Sequence, residues 1–197
     1  IEMQMKKMNF SLKINLIKKK EINLKLSNNK KINLIDVDLK FIKPFEKITN
    51  KSSKYIKKCF DIALKIMKDK KAFALINGPI SKKHFFGGKY KGITEYLAYK
   101  TFKQNNEVML IYNKSLSVSP VTTHIPLKEV SKKISSNIIL KKIITINKFY
   151  KEKLKKIPRF AVTGLNPHCE SNFVNSEEEK IIAPAIKKAL KKNIKIK

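Results

Sequence analysis

At 197 residues with 42% apolar side chains, the chain is long enough to bury a core, either as one domain or as part of a larger protein. Its formal charge of +30 would ordinarily point to nucleic acid or an anionic membrane as partner, but only Arg159 among the 45 basic residues is an arginine, and the lysines run through every segment. Readers of phosphates and bases favour arginine and gather it on one face, so the charge reads as a solvated lysine surface and argues against nucleic acid. A lysine-rich polyanion-binding protein without catalysis is the alternative.

Two cysteines, Cys59 and Cys169, make no disulfide framework and no CxxC pair, and a reducing cytoplasm is the expected location. The longest stretch without a formal charge is 115–127, shorter than the ~20 residues that cross a bilayer. Lysines also interrupt the N-terminus too often for a signal peptide, so no membrane partner is expected. The chain starts on Ile1 and closes on "KKNIKIK", an alternating run that reads as the opening of a strand, and both ends look cut.

In chain order, residues 9–42 alternate apolar and polar side chains around a turn signal at "SNNKK", which predicts two or three strands. The period then changes to three and four: Tyr55, Ile56, Cys59, Phe60, Ala63, Ile66 and Met67 predict an amphipathic helix over 51–69, capped by Thr49 or Asn50. "AFALIN" (72–77) suits a strand buried on both faces. A helix is predicted over 94–103, strands over 107–113 and 116–123, and a long helix over 136–155 with Ile139, Ile143, Ile146, Phe149, Tyr150 and Leu154 on one side. "RFAVTG" (159–164) reads as a further strand. A last helix starts at Ser176, with three glutamates in its first turn and Glu179 at the capping-box position. Alternating strands and helices predict a layered α/β fold with a largely parallel sheet, without an evident internal boundary.

In such sheets ligands bind beyond the carboxyl ends of the strands. Three of the predicted strand ends carry polar turns: "INGPISK" (76–82), "VTTHIPL" (121–127) and "VTGLNPHCE" (162–170). The last two each hold one of the chain's three histidines, His124 and His168, and two imidazoles from neighbouring strand ends could share a divalent metal. Pro126 and Pro167 would stiffen the turns. A hydrogen-bonded loop histidine is the plain alternative for either, and two ligands fall one short of the usual catalytic set. His84, in "SKKHFFGG", reads as incidental, and Cys169 as a small buried residue. Neither a GxGxxG nor a GxxxxGK[ST] motif is present.

The motifs "INGPISK", "GITEYLA" (92–98), "VTTHIPL" and "GLNPHCE" (164–170), in this order and spacing, resemble the 4-hydroxythreonine-4-phosphate dehydrogenases of the PdxA family, over roughly 35–197. The resemblance implies a three-layer α/β/α fold related to isocitrate and isopropylmalate dehydrogenases. It implies an enzyme that oxidises 4-hydroxythreonine 4-phosphate with NAD to a β-keto acid, which then loses carbon dioxide, in vitamin B6 biosynthesis. It further implies a divalent metal (zinc, cobalt or magnesium) held by three histidines, a small phosphorylated substrate and a homodimer with its site in a cleft between domains. His124 matches the first metal ligand, His168 the second, and Thr94 a substrate-binding threonine. No residue is matched to NAD or to a catalytic acid or base.

Ile93 stands where the family often has histidine ("GHTE"), and "GLNPHCES" replaces the common "GLNPHAGE". The glycine-rich "GEPAGIG" stretch and the later region with the third histidine do not occur in the chain. The 197 residues therefore read as a partial member of the family, expected to be inactive alone. A related dehydrogenase for another phosphorylated hydroxy acid is the reading that Ile93 keeps open.

Overall fold

The computed structural model describes residues 1–18, 31–102, 107–165, 168–169 and 175–197. They form two compact units, Ile1–Gln104 and Asn105–Lys197.

The first unit opens with a short helix α1 (Glu2–Lys7), followed by strands β1 (Ile14–Leu16) and β2 (Ile32–Leu34). These pair in parallel, Ile14 opposite Ile32 and Leu16 opposite Leu34, and at the centre Asn15 Nδ2 donates to Asn33 Oδ1 at 2.9 Å. The expected turn over 27–31 lies outside the described residues apart from Lys31. Helix α2 (Ser53–Lys68) follows a 3₁₀ turn, Asn50–Ser52, at whose start Thr49 Oγ1 accepts the Lys51 N–H. Its apolar face meets α3 (Lys82–Phe86) and α4 (Ile93–Phe102) around a buried aromatic trio, Phe60, Phe86 and Tyr96, with Phe60 edge-on to Tyr96 at 5.5 Å. Edge-to-face rings gain ~1 kcal/mol beyond the area they bury. Two polar ties fix the helices: Lys100 to Asp61 at 2.9 Å joins α4 to α2, and Ser53 Oγ donates to the His84 carbonyl at 2.6 Å. Gly87, at φ 54°, adopts the left-handed conformation that stops α3.

In the second unit a short helix α5 (Val130–Lys133) precedes α6 (Ser136–Phe149), whose N-terminus is capped by Ser135 Oγ accepting the Ile138 N–H. A turn of π-helix, Tyr150–Leu154, extends α6, and another, Glu178–Ile182, leads into α7 (Ala183–Leu190). Ile139 and Ile143 of α6 pack against Ile182, Ala185, Ala189 and Ile194. Ala185 and Ala189 have no exposed surface at all, so the two helices meet where side chains are shortest. Ser136 Oγ donates to the Ile181 carbonyl at 2.7 Å and fixes the register between them.

Helices α2, α4, α6 and α7 stand close to where the periodicity placed them, whereas the short helices α1, α3 and α5 were not expected and the largely parallel sheet does not form among the described residues. Segment 107–113 meets 116–123 through one antiparallel bridge, Ile111 with Val118, and 159–164 meets the chain end through one parallel bridge, Phe160 with Ile196. The 72–77 run is not a strand. An apolar pattern reports which faces favour burial, but a strand exists only when a neighbour's N–H and C=O groups align with its own. No described neighbour does so at 72–77, and Phe73 and Ile76 are 81% and 93% exposed. No helix among the described residues is long and apolar enough to cross a membrane.

Candidate metal and substrate site

His124 is set by its own backbone. Val121 is half-buried and packs on the α6–α7 core, anchoring the approach to the turn. Three residues later His124 has φ 54°, in the left-handed region that few non-glycine residues occupy, and its side chain is exposed. Such a conformation costs ~1–3 kcal/mol and persists only where the surroundings enforce it. Here the next turn does so: the Pro126 carbonyl accepts the Glu129 N–H at 2.9 Å and starts the 3₁₀ turn Leu127–Glu129 that runs into α5. The reversal at His124 turns the incoming segment into that helix.

His168 is set from outside its own residue. The Val162 N–H donates to the Lys197 carbonyl at 3.0 Å, which fixes the entry to the turn. The Leu165 N–H donates to Glu178 Oε1 at 2.9 Å, and Gly164 lies so close to Cys169 that a Cβ on it would run into the Cys169 Cβ and Sγ. His168 itself is exposed and Cys169 half-buried. Pro167 lies outside the described residues. The Glu178 carboxyl is held below the ordinary glutamate range, first by the Leu165 N–H, then by its own backbone N–H, with help from the Ser176 hydroxyl. Ser176 Oγ also accepts the Glu179 N–H at 3.3 Å, half of the expected capping box.

In the first unit Thr94 is exposed on the opening turn of α4, while Ile93 packs against the Phe60–Phe86–Tyr96 cluster. Next to Thr94, one carboxylate oxygen of Glu95 is buried without a hydrogen-bond partner. His84 serves its own helix, with Nδ1 2.7 Å from Ser81 Oγ at the start of α3. Among the described residues, one cleft of about 290 Å³ lies beside Phe41, Pro44, Phe45 and Ile48 and another of about 300 Å³ beside Val108, Leu110, Tyr112 and Phe149, and neither is lined by His124, His168 or Thr94.

The second unit thus holds both predicted metal ligands, and the first holds Thr94 and Ile93. Two exposed imidazoles are suitable donors for a borderline metal ion. No cluster of three or more histidine, cysteine or carboxylate side chains arranged for a metal occurs among the described residues. Sequence reasoning missed that Glu178 holds the Leu165 backbone, three residues before His168. Its only signal was its place among three acidic residues in a first helical turn, where the helix dipole explains them equally well.

The family model described as "Pyridoxal phosphate biosynthetic protein PdxA" matches residues 1–197, the whole chain. The chain belongs to the PdxA family. A 4-hydroxythreonine-4-phosphate dehydrogenase of Sulfurihydrogenibium sp. (strain YO3AOP1) is 38% identical over 169 residues, covering 84% of the chain and 51% of that relative. A D-threonate 4-phosphate dehydrogenase of Cupriavidus necator (strain ATCC 17699 / DSM 428 / KCTC 22496 / NCIMB 10442 / H16 / Stanier 337) is 33% identical over 147 residues, covering 73% of the chain and 44% of the relative. The crystal structure of the 4-hydroxythreonine-4-phosphate dehydrogenase of Klebsiella pneumoniae superposes with a TM-score of 0.79 at 25% identity, over 94% of the chain and 58% of that structure. The chain therefore spans about half the length of the curated PdxA relatives it matches.

Proposed function

We propose that the chain supplies part of an NAD- and divalent-metal-dependent dehydrogenase that oxidises the secondary alcohol of 4-hydroxythreonine 4-phosphate, in the synthesis of pyridoxal phosphate. The product is a β-keto acid, which loses carbon dioxide readily. The observation that carries the reading is the family match through all 197 residues, both histidine turns included.

In this reading His124 and His168 are two of the metal's ligands, and Thr94 contacts the substrate beside Ile93. When bound, the metal supplies Lewis-acid polarisation of the substrate's oxygens. Imidazole donors favour zinc or cobalt, while magnesium would rely more on oxygen ligands. The chain's own work is to hold the two rings and the threonine hydroxyl ready, which lowers the ordering entropy lost when substrate arrives. The three-layer α/β/α architecture of isocitrate and isopropylmalate dehydrogenases, a homodimer and a cytoplasmic location belong to the same proposal. The likeness to the Klebsiella pneumoniae structure supports its fold part.

A second reading differs only in substrate. The Cupriavidus necator relative is a D-threonate 4-phosphate dehydrogenase, and Ile93 places an apolar side chain where the family often has histidine. Loss of a hydrogen-bonding group changes substrate preference strongly, because buried polar groups are then left unpaired.

A chimera with residues 1–197 in place of the matching part of the Sulfurihydrogenibium enzyme tests both. NADH formation from 4-hydroxythreonine 4-phosphate, abolished by His124→Ala or His168→Ala, is the expected result. Faster turnover of D-threonate 4-phosphate would select the second reading. A folded chimera that binds NAD and oxidises neither would overturn the proposal.

A further inference from the structure

We propose that Glu178 is the positioning residue for His168: its carboxylate holds the Leu165 backbone and, through Gly164 and the Cys169 that packs on it, steadies the residue that carries the imidazole. This rests on the reading of His168 as a metal ligand and extends it to a residue placed ten positions further along the chain.

Both limbs of the turn are tied, at different places. On the incoming limb, Val162 is bonded to the Lys197 carbonyl and packs on the α6–α7 core. Beyond Val162 the backbone leaves that core, and the next fixed point is the Leu165 N–H on Glu178 Oε1 at 2.9 Å. On the returning limb, Cys169 closes down on Gly164, where a side chain would leave no room. His168 is thus bonded directly to Cys169, which rests on Gly164, which is bonded to the residue Glu178 holds. Glu178 is itself at the start of the π-turn that leads into α7, and α7 is part of the buried core. The chain of contacts runs from a rigid helix to an exposed ring.

Chemistry distinguishes Glu178 from its neighbours. A carboxylate accepting a backbone N–H makes a charge-assisted bond, stronger than one between neutral groups. Glu179 contributes its N–H to Ser176, a capping role at the helix start, whereas the Glu178 carboxylate reaches across to the turn. Residues that orient a ligand without touching the metal typically affect affinity by about 10–100-fold.

The test uses the full 197-residue chain labelled with ¹⁵N, first without metal and then titrated with Co²⁺, comparing wild type with Glu178→Ala, Glu178→Gln and Glu177→Ala. In the metal-free Glu178→Ala protein the Leu165 amide proton should lose its low-field shift, and the His168 backbone order parameter should fall toward about 0.6 or below. Ile143 and Ile146 should be unchanged. Glu178→Gln, which keeps an acceptor oxygen, should restore much of the order, and Glu177→Ala should resemble wild type. Co²⁺ affinity should then fall about 10-fold or more in Glu178→Ala. Unchanged order at His168 when the Leu165 bond is lost would overturn the proposal. Absence of Co²⁺ binding in wild type would instead remove the metal reading, while the metal-free order parameters still decide the positioning role. Should Glu178→Ala fail to fold, Glu178→Asp withdraws the oxygen by one methylene, keeps the charge, and is judged by the same order parameters.

Discussion

The two histidine turns solve one positioning problem by different means. His124 is aimed by the conformation of its own residue, a left-handed φ of 54° between the half-buried Val121 and the turn that begins at Pro126. His168 is held by groups remote from it: the Glu178 carboxylate on Leu165, and the close fit of Cys169 against Gly164. The first device stores strain in the backbone. The second depends on a side chain from another element. Variants that touch one turn should therefore fail in ways that the other does not share.

The largest effect is expected at Gly164. Adding a Cβ forces it into Cys169, and overpacking of this kind typically costs about 1–3 kcal/mol. Gly164→Ala should lower the urea midpoint of the second unit accordingly. Because the clash is with the Cys169 Cβ as well as its sulfur, Cys169→Ala should give little relief and Cys169→Gly much more. That non-additivity, read from a double-mutant cycle, checks the contact itself.

At His124 the expected sign is reversed. Glycine occupies the left-handed region without steric cost, so His124→Gly should stabilise the unit by about 1 kcal/mol, whereas His124→Val should destabilise it. Both should abolish Co²⁺ binding equally. Equal stability of the two variants in denaturant would show that the strain is absent. Pro126→Ala is expected to be smaller again, about 0.4–1 kcal/mol, acting mainly through the freedom of the unfolded chain, with Co²⁺ affinity close to wild type.

Both histidine turns were legible in the sequence as segments, but what holds each of them was not. Spacing and turn chemistry placed His124 and His168 on matching segments, and the apolar periods placed α2, α4 and α6 to within a few residues. Helices are legible because their hydrogen bonds are local and their buried stripe has a period. The sheet was poorly legible: Phe73 and Ile76 look like core residues in the string and are exposed in the structure, because pairing depends on partners that no local pattern names. The left-handed φ of His124 carries no letter of its own, and Glu178 reaches Leu165 across 13 positions, a distance at which an acidic residue looks like any other. Gly164 was visible as a glycine, but the reason for it, Cys169 pressed against its α-carbon, required the fold.

The subtlest prediction separates the turns by pH. The Glu178 carboxyl is held below the ordinary glutamate range, chiefly by the Leu165 N–H. A carboxyl whose folded value is depressed stabilises the fold fully above its unfolded value, and that contribution disappears as pH falls through the lowered folded value. On acidification the Leu165 amide shift should therefore hold through the ordinary carboxylate range and collapse below it. The amides of Thr122 and Thr123, in the turn governed by backbone conformation, should not follow that transition. Concerted movement of both turns would indicate acid unfolding of the whole unit. Movement at Leu165 alone would place the clamp on Glu178 and leave His124 dependent on the strain of its own backbone.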